Sequence, residues 1–280
     1  MKVKLQKYYR FILIVALSLL PVYGTLGRTI YTNGDYSGKS FAYLDLRDVL
    51  MFNSNFTGAD FTFTKLVRAD MANSDFSSAN FDSANLTDAI ITGANFDATG
   101  VPISYYLTKD QLCSTASYKN KDLRGVGLNK LGLSETNFSQ QNLTGASFQS
   151  TFIDNASFKE ANLTNVDFFN AHLTNADFTD AIITGVNFYC SYDHEDTITK
   201  EQLYSTANYK KGDLSGISFR DLDLSGADLS LQNLTNVSFL STNLTGVDFT
   251  SAIITGAFFN SITVITKEQL CSTINYQIKD

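Results

Sequence analysis

The chain of 280 residues has no tryptophan, only two prolines, two histidines and three cysteines. So few prolines leave no Pro-rich linker to divide it, and one continuous body is expected. Two histidines and three cysteines supply little material for acid–base, thiol or metal chemistry. Three cysteines also cannot all pair within one chain. No glycine-rich phosphate loop occurs, and no Gly-x-Ser-x-Gly elbow that would expose a nucleophilic serine. Lysine and arginine number 21 against 28 acids, for a net charge of −7, which argues against a basic nucleic-acid-binding domain. Hydrophobic residues reach 44%, too many for a disordered chain.

The one long apolar run lies near the start. Lys2, Lys4, Lys7 and Arg10 precede the apolar residues 11–20, followed by Pro21-Val22-Tyr23-Gly24. This order reads as a secretory signal peptide over residues 1–24, with Val22 and Gly24 small enough to precede the cleavage site. The run is about half the ~20 residues of a spanning helix, so the chain is not expected to span a membrane after cleavage. An uncleaved N-terminal anchor is the alternative. Either way the protein is expected outside the cytoplasm, as a periplasmic, cell-surface or secreted chain.

From Tyr36 onward a large apolar residue recurs every five positions: Phe41, Leu46, Met51, Phe56, Phe61, Leu66, Met71, Phe76 and on to Phe96. The beat resumes in new phase from Leu123 to Phe188 and from Leu214 to Phe259, making 13, 14 and 10 repeats. Two positions earlier stands a small or β-branched residue, as at Ala59, Ala79, Ala94, Ala161, Ala176, Val186, Ala227 and Val247. Two inward side chains flanking one outward residue is strand geometry, and the remaining Thr, Ser, Asn, Asp and Gly suit a turn. Each pentapeptide is thus one straight edge and one corner, and four edges close a coil. Residues 20 apart should then stack, and they match in type: Phe56, Phe76 and Phe96 form one column, with Phe41, Phe61 and Phe81 expected opposite it. Phe148, Phe168 and Phe188 form another, beside Phe138, Phe158 and Phe178. Each coil then meets only its neighbours, as in a solenoid.

The stretches Ala59-Asp60-Phe61-Thr62, Ala84-Asn85-Leu86-Thr87, Ala161-Asn162-Leu163-Thr164 and Ala227-Asp228-Leu229-Ser230 closely resemble the Ala-(Asp/Asn)-Leu-x-x signature of the pentapeptide-repeat family. The resemblance implies an all-β solenoid, a right-handed quadrilateral β-helix of about nine coils, interrupted by short helical inserts. The handedness comes from the resemblance and not from the columns.

Each block ends in Ala-Ile-Ile-Thr-Gly, and an insert with Thr108-Lys109-Asp110-Gln111-Leu112, Thr199-Lys200-Glu201-Gln202-Leu203 or Thr266-Lys267-Glu268-Gln269-Leu270 follows. Thr with Gln three residues later is a capping box, so one short helix is expected in each insert. Ile90, Ile182 and Ile253 fill outward slots, and Leu112, Leu203 and Leu270 are expected to fold back over them. The units are residues 31–117, 118–208 and 209–275, with residues 276–280 as the opening of a fourth or a tail. A bare solenoid end favours end-to-end self-association.

Cys190, Asp193, His194, Glu195 and Asp196 gather a thiol, an imidazole and three carboxylates, the one place suited to a metal ion. Their spacing matches no zinc finger or calcium loop, and charged residues of an insert are ordinarily solvated, so no metal, cofactor or catalytic residue is assigned. His172 reads as surface. Cys113 and Cys271 share a slot with Tyr204, which marks it as packing. Thr144, Thr164 and Thr184 form a ladder that suggests a flat threonine surface. The expected role is an exported, non-enzymatic scaffold or protein-interaction rod, its partner a protein or cell-envelope component and not a nucleic acid. The resemblance adds an alternative, since some members mimic DNA and bind a topoisomerase. A surface adhesin or polysaccharide-binding protein is a further one.

Overall fold

The computed structural model describes residues 29–99, 105–191, 197–259 and 265–278. The expected signal peptide lies outside them, as do Asp193, His194, Glu195 and Asp196. Among the described residues no helix is long and apolar enough to cross a membrane.

The pentapeptides wind into a four-sided solenoid. Within a block of repeats the outward residues pair in parallel with the residue 20 further on, as Asp35 with Asn55 and Asn55 with Asp75. The next residue, whose side chain points inward, donates its N–H to the coil above: Phe56 to the Asp75 carbonyl at 2.7 Å. The corner residue does the same, Gly58 to Thr57's counterpart Ser77 at 2.9 Å. A turn bond, Ala59 N–H to Phe56 O at 2.9 Å, closes each edge. Corner residues sit at φ between 54° and 74°, which explains the Gly, Asn, Asp and Ser found there.

The interior is a set of ladders. Phe56 and Phe76 stack at 5.0 Å, and Phe76 and Phe96 at 5.4 Å. Phe41, Phe61 and Phe81 stack likewise at 4.9 and 5.2 Å. These two columns adjoin instead of facing each other, with Phe56 and Phe61 centred 5.8 Å apart. Residues five apart occupy consecutive sides of the square, so opposite sides require ten. That spacing occurs in the second block, where Phe138 meets Phe148 edge-on across the interior at 5.5 Å. The small residues two positions earlier are buried, and a hydroxyl there reaches a carbonyl 23 residues back, except at Thr136, whose buried hydroxyl has no partner. Thr64 donates to Phe41 O and Thr151 to Leu128 O, both at 2.8 Å.

The inserts form three helix pairs: α1 (Lys109–Ser114) with α2 (Ala116–Lys119), α3 (Lys200–Ser205) with α4 (Ala207–Lys210), and α5 (Lys267–Ser272) with α6 (Ile274–Ile278). All three expected capping boxes are present, at Thr108, Thr199 and Thr266. Their position differs from expectation. Ile90, Ile182 and Ile253 remain 44%, 39% and 38% exposed, so no helix covers them. Leu112 and Leu203 instead point into the solenoid interior and are fully buried. Each of the first two pairs replaces two edges of one turn, which keeps the other two columns continuous. Asn95 therefore pairs with Gly127, 32 residues on, and Asn187 with Ser218, 31 on. Phe188 still stacks on Phe219, at 6.5 Å.

The capping glutamine also docks the pair. Its Oε1 accepts the N-cap N–H, while Nε2 of Gln202 donates to Leu173 O at 2.9 Å and Ala176 O at 2.8 Å. Gln111 and Gln269 repeat the arrangement on Phe81 and Ala84, and on Leu244 and Val247. Exposed ion pairs between Lys119 and Asp88, and between Lys210 and Asp180, tie α2 and α4 to the coil below.

Candidate interaction surface

The outer wall follows a rule that closes most polar groups on themselves. The outward Asn or Asp accepts from the backbone N–H two residues on, and a Thr or Ser there adds its hydroxyl. Thr57, Thr62, Thr144, Thr164, Ser230, Thr235, Thr245 and Thr250 make this bond at 2.5–2.8 Å. The threonine ladder is accordingly built of hydroxyls turned to their own Asn at Thr144 and Thr164. Hydrogen bonds from Thr250 hold the Asp248 carboxyl below its usual range, and Arg124 does the same for Asp122.

One column breaks the rule. On the side that carries Phe96, Phe148 and Phe188, the position after the central residue holds Asp97, Asn129, Gln149, Phe169, Tyr189 and Arg220 in successive turns. Every one of these side chains ends in a planar group. Asp97 accepts from the Asn129 N–H at 3.0 Å and from Asn129 Nδ2 at 2.8 Å. Asn129 Oδ1 in turn accepts from the Gln149 N–H at 2.6 Å and Ser147 Oγ at 2.7 Å, and Gln149 Nε2 donates to Asp167 at 2.6 Å. Phe169 and Tyr189 follow with ring centres 4.9 Å apart and planes tilted by 43°, and the Arg220 guanidinium lies 4.6 Å from the Tyr189 centre. A cleft of about 470 Å³ runs along this column and the neighbouring corner, lined by Asp97, Asn129, Lys130, Gln149, Phe169 and Asn170. Burial pushes the Asp97 carboxyl above its usual range.

Gly127 shapes the lower end of the cleft. A Cβ there would fall 2.5 Å from Asn95 Oδ1 and 2.9 Å from Asp97 Oδ1, so the missing side chain admits both polar groups to the wall. Around the corner, Phe152 is 40% exposed and stacks on His172 at 4.4 Å. His172 is thus part of an aromatic surface. A separate exposed pair, Tyr43 and Phe63, stacks at 5.3 Å from corner positions with φ of 62° and 54°.

Of the metal candidates, only Cys190 lies among the described residues, where its side chain is buried. Among those residues no group of three His, Cys, Asp or Glu is placed to hold a metal ion. Cys113 and Cys271 are free and half-buried. Cys113 is hydrogen-bonded with Tyr118, whose hydroxyl is pushed up chiefly by burial. Tyr209 is pushed up to about 12 by burial and the nearby Asp228 charge. The planar column was not singled out from the sequence. Its signal was present as the loss of Thr or Ser after the central residue at 149, 169 and 189.

The Pentapeptide repeat region pattern matches residues 121–192, and the Pentapeptide repeats (8 copies) pattern matches residues 54–97 and 213–250. No curated protein matches the chain. Among solved structures it is similar to HetL, a pentapeptide repeat protein involved in heterocyst differentiation regulation from the cyanobacterium Nostoc. Identity is 24% over 82% of this chain and 84% of that one, with a TM-score of 0.39. It is similar also to QnrB1, a plasmid-mediated fluoroquinolone resistance protein, with 13% identity over 83% and 94% of the two chains and a TM-score of 0.30. A thylakoid-lumen pentapeptide repeat protein of Arabidopsis thaliana shares 20% identity over 54% and 69%, at a TM-score of 0.22.

Proposed function

Because the chain belongs to the pentapeptide-repeat family and folds as a right-handed quadrilateral β-helix, we propose that it is an exported, non-enzymatic interaction rod that binds a protein or cell-envelope component. The planar column along its wall carries this reading. A solenoid needs only small turn-closing residues at that position, and six successive turns depart from the rule toward residue types suited to contact. Export is supported by the basic, apolar and small-residue order of residues 1–24.

Mass spectrometry of the N-terminal peptide in separated cytoplasmic and exported fractions tests the reading. A terminus near Thr25 in the exported fraction is expected. An intact Met1 found only in the cytoplasm would overturn export and put topoisomerase binding by the acidic rod in its place.

A further inference from the structure

We propose that the column Asp97, Asn129, Gln149, Phe169, Tyr189 and Arg220 binds an uncharged polysaccharide chain laid along the solenoid axis. This names the ligand class of the interaction rod described above, and rests on that reading for where the polymer is met. A sugar ring presents hydroxyls around its rim and C–H groups on its faces. A surface that takes it interleaves planar hydrogen-bonding groups with aromatic rings, which are apolar in body and polar at the edge.

The column has that composition, and its polar part is held in place beforehand. Asn129 Nδ2 bonds Asp97, and Gln149 Nε2 bonds Asp167, so both amide planes are set by the wall. Each amide nitrogen carries two N–H groups and uses one of them there, leaving a donor on each for a hydroxyl. Side chains already ordered lose little further entropy on binding. Phe169 and Tyr189, both half-buried, tilt against each other and do not close face to face.

The repeat itself selects a polymer over a single sugar. Five inter-coil steps of ~4.8 Å separate Asp97 from Arg220, a run of about 24 Å with one planar group per step. Acids at 75, 97 and 167 border the lower part of the run, which disfavours nucleic acid and other polyanions. The cleft has a floor of amides and a carboxylate, unlike the apolar centre of a standard protein interface.

Affinity electrophoresis of the purified full chain tests the proposal, using native gels cast with hydroxyethyl cellulose, glycol chitin or dextran sulfate beside a plain gel. Retardation that grows with the concentration of at least one of the first two polymers is expected. Phe169→Ala with Tyr189→Ala should weaken it by at least about tenfold. Gln149→Ala, which leaves the rings in place, should weaken it too. Phe63→Ala, an exposed ring outside the column, should leave it unchanged, and a circular dichroism melt checks that each variant is folded. No retardation by either uncharged polymer, retardation by dextran sulfate alone, or full retardation of the folded ring and Gln149 variants would each overturn the site. Since the test uses purified protein, its failure is separate from that of export, which the N-terminal peptide decides.

Discussion

Replacing Gln202 by glutamate isolates what holds a helix pair in the wall of the solenoid. Glutamate keeps an Oε1 able to accept the Thr199 N–H, so the cap survives. It replaces the Nε2 donor with an oxygen facing the carbonyls of Leu173 and Ala176, which lie 2.9 and 2.8 Å from that nitrogen. Two hydrogen bonds of about 0.5–1.5 kcal/mol each are lost, and a carboxylate now opposes two carbonyl oxygens, for a total of about 2–4 kcal/mol. At about 2–4 °C per kcal/mol for a chain of this size, the melting temperature at neutral pH should fall by about 5–15 °C. Hydrogen exchange should localise the loss to α3 and α4. The pH dependence identifies the cause. Facing carbonyls raises the carboxyl's pKa in the folded state above its unfolded value of about 4.3. The folded protein then holds the proton more tightly, so the penalty is complete above the folded pKa and shrinks as pH falls through it. A protonated carboxyl can restore one donor. Thr199→Ala, which removes only the cap at Gln202 N–H, should cost about 1 kcal/mol with no such pH dependence. A glutamate variant that melts like the parent, or whose loss is the same at pH 4 and pH 7, would refute docking through Nε2.

Phe76→Ala, in the middle of a phenylalanine ladder and 1% exposed, should cost about 3–5 kcal/mol in a urea melt through lost contacts and the cavity left behind. Thr151→Val should cost about 1 kcal/mol because the hydroxyl bonds Leu128 O. Thr136→Val should be neutral or stabilising, because its buried hydroxyl has no partner, and equal losses for the two would count against this distinction. Leu231 sits at a corner with φ of 59° and is 74% exposed, so Leu231→Gly should raise the melting temperature by removing about 1–2 kcal/mol of strain, less the added freedom of the unfolded chain. In a carbon NMR titration Asp248 and Asp122 should protonate below the usual carboxylate range and Asp97 above it. The stabilisation from the first two is present above their unfolded pKa and is lost as pH falls through the folded values. Asp97 acts in the opposite sense, favouring the fold as pH drops through its raised pKa.

The period of five, the stacking of like on like at 20 residues and the three capping boxes could all be read from the chain, because each depends on contacts that the repeat places at constant spacing. Strand alternation decides which residue faces inward, and a Thr–Gln pair decides where a helix starts, without knowledge of anything distant. Only the tertiary structure decided how turns of unequal length align. Asn95 meets Gly127 and Asn187 meets Ser218 because a helix pair fills two edges, and no periodicity announces separations of 32 and 31. The same unequal steps hid the planar column. Gln149, Phe169 and Tyr189 are evenly spaced, but Asp97 and Arg220 join them only once the length of each insert-bearing turn is known. The closure of the square likewise set the first block's phenylalanine columns on adjoining sides. It also turned Leu112 and Leu203 inward while Ile90 and Ile182 stayed exposed, since a helix replacing an edge fills the interior that the edge would have filled.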